Sequence, residues 1–357
     1  LGSQGSREIR TPHIDTIAQE GVRFKNGYVS HPFCSPTRAG LLTGRYQQRF
    51  GHENNMLFEY GNPNDGLPVS ETTLPELLAR SGYATGLIGK WHLGAHEKFH
   101  PLRRGFKEMS RFQGGAHDYF DPGAKGDRRQ HFLPTEREDG TNDSQPGYLT
   151  TALGREAAAF VRRHKQDPFF LYLAFNAPHS PLQAPEEWIE KYSSIADPQR
   201  RTYAAMVAAM DDAVGSVLTA LREAQVEQDT LVFFLSDNGG PTDNRSSNHP
   251  LRATKRTVYE GGIHVPFVMR WPAKLPAGST FDAPVISMDV FSTALAAAGV
   301  EAPRDRKIDG ANLLPYLEGK VKGRPHEHLF WRMFGGIHLA ARDSRYKLVR
   351  SEGKPDE

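Results

Sequence analysis

Two runs of apolar residues limit the folds open to this chain more than any other feature. Pro168-Phe169-Phe170-Leu171-Tyr172-Leu173-Ala174-Phe175 and Thr230-Leu231-Val232-Phe233-Phe234-Leu235 are almost unbroken. Neither has the in–out alternation of a strand with one wet face, so each is expected to be a strand covered on both faces. Helical patterns precede both: 148–165 before the first run, and a long amphipathic 198–225 before the second. Buried strands alternating with helices predict an α/β fold, a large and mostly parallel mixed sheet flanked by helices.

Further elements fit that plan. Residues 12–20 read as a short helix, with Thr11 as cap, Pro12 in the first turn and Gly21 as stop. The segment 22–29 is strand-like, 71–80 helical with Gly82 beyond it, 83–88 a buried strand, and 288–298 a helix stopped by Gly299. Gly, Pro, His and charge crowd residues 94–146, which read as long loops over the scaffold. Past Pro303 the texture changes. Short strand candidates at 328–333, 337–342 and 346–350 predict a small antiparallel sheet. The expected division is therefore a main domain over 1–315 and a small C-terminal subdomain over 316–357.

Composition narrows the function classes. A chain of 357 residues suits one large domain with a smaller attachment, and 44 basic against 42 acidic residues leave a net charge of +2. That balance makes no case for nucleic acid or a membrane surface. No apolar stretch reads as a membrane span, and the opening Leu1-Gly2-Ser3-Gln4-Gly5-Ser6 is turn material, not a basic and apolar leader.

Cys34 is the single cysteine, which rules out an intrachain disulfide but leaves the compartment open. A lone cysteine is ordinarily an inert buried thiol. Here it stands in Cys34-Ser35-Pro36-Thr37-Arg38-Ala39-Gly40-Leu41-Leu42-Thr43-Gly44-Arg45, where Pro36 and the helix formers after it place Cys34 at a helix N-terminus. Unpaired N–H groups and the helix dipole favour negative charge there, and Arg38 adds a cation one turn on. The site suits a nucleophile or an anion.

Three polar clusters follow apolar strands, where open α/β sheets bind their ligands. Gly89-Lys90-Trp91-His92-Leu93-Gly94 offers a point charge and a proton carrier two residues apart. Asn176-Ala177-Pro178-His179-Ser180-Pro181 holds an imidazole between two prolines. Ser236-Asp237-Asn238-Gly239-Gly240 sets a carboxylate beside an amide, hard oxygen ligands for Ca²⁺ or Mg²⁺, although Asp-Asn-Gly is also ordinary turn chemistry. A fourth segment runs from Leu251 through Lys255 to Glu260-Gly261-Gly262-Ile263-His264.

Taken together, Cys-x-Pro-x-Arg, Gly-Lys-Trp-His-Leu-Gly, His-x-Pro, Ser-Asp-Asn-Gly and a lysine five residues before Glu-Gly-Gly resemble the signature elements of the sulfatases, in their order, over most of the chain. The alkaline-phosphatase-like fold of that family is then expected. The resemblance implies that Cys34 is oxidised to formylglycine, whose hydrate attacks a sulfate monoester of a sugar or an aryl alcohol. It implies catalytic roles for Cys34, Arg38, Lys90, His92, His179 and Lys255, with His179 protonating the departing alcohol and His92 acting as the later base. Metal ligands would be Cys34, Asp237 and Asn238, holding Ca²⁺ with Mg²⁺ as the alternative. A formylglycine-generating or anaerobic sulfatase-maturating enzyme becomes an implied partner, and a periplasmic or secreted location is implied too.

Departures are visible. Ala253-Thr254 and Arg256 occupy positions where the family is glycine-rich, and His264 stands where arginine is usual. The family's strand ending in an Asp-Asp metal pair has no counterpart ahead of Leu1-Gly2-Ser3. Two other readings stay open: a phosphonate or phosphate ester hydrolase of the same superfamily, and a catalytically silent binder of sulfated glycans. His96, His100, His117, Asp118, Tyr119, Trp331 and Arg332 are candidates for the rim of the pocket.

Overall fold

The computed structural model describes residues 1–56, 62–112, 114–121, 136–137 and 147–351. Two four-stranded mixed sheets form its α/β body. One has the order Val232–Leu235, Phe267–Arg270, Val22–Phe24, Ser279–Phe281, antiparallel across its first two pairings and parallel across the last. The other runs Glu136–Arg137, Glu108–Phe112, Ala84–Lys90, Phe169–Ala174, and both pairings of Ala84–Lys90 are parallel.

The two apolar runs are strands, but each is the edge of its sheet and only half-buried rather than covered on both faces. They face a shared cavity of about 1150 Å³, whose walls include Phe169 to Phe175 and Thr230 to Leu235. Their apolar side chains are thus divided between helix-covered core and cavity wall.

Helix Pro198–Glu223 packs along Leu149–Arg163 and carries the core residues Ala205, Met206, Ala209 and Leu221. Asp197 caps it, accepting from the backbone N–H of Gln199 at 2.9 Å. By length and composition this helix could cross a bilayer, but most of its apolar stretch is buried in the protein core. Its buried Asp211 reaches the first turn of helix Pro12–Gln19, accepting from the N–H groups of His13 at 3.1 Å and Ile14 at 2.8 Å. Thr11 precedes that helix but makes no side-chain cap; Asp211 satisfies the orphan donors in its place.

A second helical group, Cys34–Thr43, Leu74–Arg80 and Asp289–Ala297, packs around Leu74, Leu78, Phe291 and Leu295. Beyond it, Leu329–Met333, His338–Arg342 and Lys347–Arg350 form the expected antiparallel sheet. Leu329, Trp331 and Met333 alternate inward and pack near Tyr28 and Val29, and the Trp331 indole N–H donates to the Val29 carbonyl at 2.7 Å. Part of the 94–146 loop region lies outside the described residues. Within the rest, two short 3-10 turns and the strands Glu108–Phe112 and Glu136–Arg137 replace part of the expected loop.

Candidate active site

Cys34 is the first residue of helix Cys34–Thr43, every residue of which is buried. Its own exposure is 2%. Phe33 enters with extended backbone and Pro36 falls in the first turn, where no N–H is needed, so the sulfur sits at the positive end of the helix. Two groups from distant loops meet it. Lys255 Nζ donates to Sγ at 3.2 Å, and Sγ lies 3.2 Å from Asn238 Oδ1.

Arg38, one turn along, is almost wholly buried and engages all three of its side-chain nitrogens. Nε and Nη2 donate to Asp237 Oδ2 at 3.2 and 2.8 Å, while Nη1 donates to the Lys90 carbonyl at 3.0 Å and to Tyr172 Oη at 3.4 Å. Burial alone would raise the Asp237 carboxyl, but the cations of Arg38, Lys90 and Lys255 outweigh it and hold the group far below the ordinary carboxylate range. Lys90 is buried at the end of Ala84–Lys90. Burial and the nearby cations Arg38 and Lys255 lower its ammonium to about 8, against the opposing pull of Cys34 and Asp237. Lys255 goes the other way: burial disfavours its charge, yet Cys34 and Asp237 more than compensate and raise it.

Both histidines are neutral at pH 7. Burial first, then Lys90, Arg38 and Lys255, pushes His92 well below its usual range. It turns off the strand with a left-handed φ of 62°, and its carbonyl accepts from Ser35 Oγ at 2.7 Å. His179 is lowered to about 3 by burial and then by Lys90 and Lys255. Its Nδ1 lies 2.8 Å from the Ser180 carbonyl, which can only accept, so the proton is on Nδ1 and Nε2 carries the lone pair. Tyr119 Oη steadies this loop by donating to the His179 carbonyl at 2.8 Å.

The eight candidate residues therefore divide by access. Arg38, Lys90, His179, Asp237, Asn238 and Lys255 line the cavity, whereas Cys34 and His92 stand behind that lining. Of the suggested rim residues, Tyr119 reaches the His179 loop without lining the cavity, Asp118 accepts from Gln183 Nε2 at 2.8 Å, and the others lie elsewhere. His96 and His100 cap local turns, His117 is buried with Nδ1 2.6 Å from the Asp118 carbonyl, Trp331 faces the core, and Arg332 pairs with Glu53 at 3.0 Å. Three contributors escaped the sequence reading. Tyr172 was a lone hydroxyl within an apolar run, and Ser35 and His52 form a buried pair 2.7 Å apart beneath Cys34. Only Tyr172 had a signal, its polar tip in an otherwise apolar strand.

The donor chemistry suits a hard cation. Arg38 engages only Oδ2 of Asp237, and Asn238 turns its carbonyl oxygen toward Cys34. Among the described residues no three His, Cys, Asp or Glu side chains converge as a metal cluster.

Comparison with known proteins gives one consistent answer. A family model described as Sulfatase matches residues 1–300, and one described as N-sulphoglucosamine sulphohydrolase, C-terminal, matches residues 252–357. N-acetylgalactosamine-6-sulfatase of Homo sapiens is 36% identical over 351 residues, 91% of this chain and 64% of that protein. The chain thus spans just under two thirds of the length of this relative. Among solved structures, Ps i-CgsB in complex with k-i-k-neocarrahexaose superposes with a TM-score of 0.93 at 36% identity, covering 100% of this chain and 82% of that one. A phosphonate monoester hydrolase from Silicibacter pomeroyi shares the fold alone, with a TM-score of 0.71 at 21% identity over 98% of this chain and 84% of that one.

Proposed function

The chain belongs to the sulfatase family, with its alkaline-phosphatase-like α/β fold, and on that premise we propose that it hydrolyses sulfate monoesters of carbohydrates. One observation carries the reading: among the described residues, three buried cations, Arg38, Lys90 and Lys255, gather near Cys34 against the carboxylate of Asp237. Such a pocket is short of negative charge, and a sulfate ester supplies it.

Cys34 marks the nucleophile. Conversion of its side chain to formylglycine supplies, on hydration, an oxygen nucleophile that a thiol cannot replace. Lys255 and Asn238 hold that position from the two sides they already occupy around Sγ. Arg38 orders Asp237 and, through the Lys90 carbonyl, the strand end that carries Lys90. Lys90 and Lys255 meet the ester's anionic oxygens. His92, neutral and close-set, suits the role of a base. His179 is also neutral before substrate arrives, so its role as proton donor depends on the bound anion. Burial is the larger obstacle to the imidazolium; by offsetting Lys90 and Lys255 the ester relieves the repulsion those cations add to it. Asp237 and Asn238 would hold Ca²⁺, or Mg²⁺, and the ion would polarise sulfate oxygens.

A maturation enzyme of the formylglycine-generating or anaerobic type is the implied partner, and a sulfated sugar the implied substrate, consistent with relatives named for sulfated carbohydrates. The test co-expresses the chain with a maturation enzyme and quantifies formylglycine by mass. Aryl sulfate, aryl phosphonate and sulfated mono- and oligosaccharides are then assayed side by side. Sulfate release that disappears in Cys34→Ala while the fold is retained supports the proposal; turnover surviving in that variant overturns it. Preference for the phosphonate, or tight glycan binding without release, would assign the chain to the other readings.

A further inference from the structure

Glu260 gathers bonds from separate parts of the chain. Oε2 accepts from Tyr28 Oη at 2.8 Å, and Oε1 accepts from Lys347 Nζ at 2.7 Å. His264, one turn on, sets Nδ1 3.2 Å from Oε2 and stacks on Tyr28 with 4.8 Å between ring centroids. Lys347 opens the last strand of the small antiparallel sheet. Arg342, from the middle strand, lies over the Tyr28 ring at 4.8 Å and bonds its hydroxyl. Burial would raise the Glu260 carboxyl, but His264, Lys347 and Tyr28 together bring it down to about 2. This is more bonding than the first residue of a four-residue helix needs for its own sake.

The backbone that starts at Glu260 is wedged against the active site. Gly262 accepts at its carbonyl from the Gly239 N–H at 2.9 Å, Gly261 N–H donates to the Arg252 carbonyl at 2.7 Å, and Lys255 N–H donates to the Gly240 carbonyl at 3.2 Å. Close approach leaves no slack. A Cβ on Gly239 would lie 1.8 Å from the Gly261 carbonyl oxygen, and one on Gly262 would lie 2.0 Å from that of Thr257. Any shift of Glu260 therefore passes to Gly262, to Gly239 beside Asn238, and to the loop that aims Lys255 at Cys34.

We propose that Glu260 is a positioning residue for Lys255 and Asn238, and that Lys347, by holding it, makes the small antiparallel sheet a working part of the site. The inference rests on the assignment of Cys34 and Lys255 as the reacting neighbourhood, and its test is separable from sulfatase turnover. In the full chain produced without a maturation enzyme, the Cys34 thiol is treated with methyl methanethiosulfonate at neutral pH and its modification rate followed by mass. Lys255 Nζ donates to the attacking sulfur, so Lys255→Ala slows modification. Glu260→Gln and Lys347→Met slow it several-fold, by about 2- to 10-fold, Lys347→Arg stays near wild type, and Glu260→Gln adds nothing in the Lys255→Ala background. Faster modification in Glu260→Gln, as a loosened fold would give, or slowing that adds to that of Lys255→Ala, overturns the proposal.

In the matured enzyme, Glu260→Gln lowers kcat/KM for an aryl sulfate by about tenfold or more. In the Lys255→Ala background the same change costs less than about twofold. A wild-type chain that releases no sulfate from any ester overturns the functional reading, and the thiol measurements still decide the positioning role.

Discussion

Arg38 and Asp237 lie 199 positions apart and meet as a clamp, with two guanidinium nitrogens on a single carboxylate oxygen. The arrangement fixes the carboxylate's direction while leaving Oδ1 outside the pair. Arg38 is buried, so its removal strands a charge. Arg38→Ala should destabilise the fold by about 3 kcal/mol or more, and Arg38→Met with Asp237→Asn by clearly less. Urea unfolding of the single and double variants measures the difference. Because the Asp237 carboxyl is depressed in the folded state, its contribution is present above the unfolded carboxylate value near ~4 and is lost as pH falls below that. Asp237→Asn should flatten the stability profile in that acid range.

Buried neutral histidines make a second, milder acid limit. His31 is lowered to about 3 and His52 to about 4, each by burial first, and burial likewise pushes His92 well below its usual range. The unfolded chain takes up protons below about pH 6.5 while these imidazoles do not, so stability falls as pH drops through that value. Each forfeits at most about 1.4 kcal/mol at pH 5.5. His326 has the opposite sign: its pairing with Asp289 at 2.7 Å outweighs burial and raises it. Its contribution is complete below about pH 6.5 and is lost as pH rises through the raised value. Unfolding midpoints at pH 7.5 and 5.5 should therefore diverge less in His52→Gln than in wild type, and more in His326→Gln.

Tyr119→Phe removes a hydroxyl that ties the His179 carbonyl. The expected stability loss is about 1 kcal/mol. Loss of kcat should exceed any change in KM, because the imidazole and not the anion-binding cations is released. Steady-state kinetics with an aryl sulfate separates the two.

Calcium should stabilise the chain through Asp237 and Asn238. At a hundredfold excess over its dissociation constant, a bound ion is worth about 2.7 kcal/mol. Melting temperatures with calcium and with a chelator should differ in wild type and coincide in Asp237→Ala.

Much of this was legible along the chain, and the omissions have physical reasons. Cys34 at a helix start, and the clusters at Lys90, His179 and Asp237, could be read because each motif follows its own strand within a few residues. The half-burial of Phe169–Ala174 and Val232–Leu235 could not, since a run of Phe and Leu is silent about whether a neighbouring strand lies on either edge. Strands Phe267–Arg270 and Ser279–Phe281 are too short for a periodic signal, although one of them bridges Val22–Phe24 to Val232–Leu235. Asp211 displaced Thr11 as a cap because a buried carboxylate from another helix reached the same N–H groups. The Glu260–Lys347 bond joins positions 87 apart, beyond the reach of local pattern.

The separation between Cys34 and its partners also sets a timetable for synthesis. Asn238 and Lys255 are translated 204 and 221 positions after it, and Trp331 reaches the Val29 carbonyl across 302. At ribosomal speeds of about 5–20 residues per second, roughly 10–40 s pass between the appearance of Cys34 and the first of its side-chain contacts. During that interval the nascent segment holds an uncommitted thiol that the finished protein encloses. Any catalyst that alters this sulfur therefore has its easiest access before Asn238 and Lys255 have been made and folded over it.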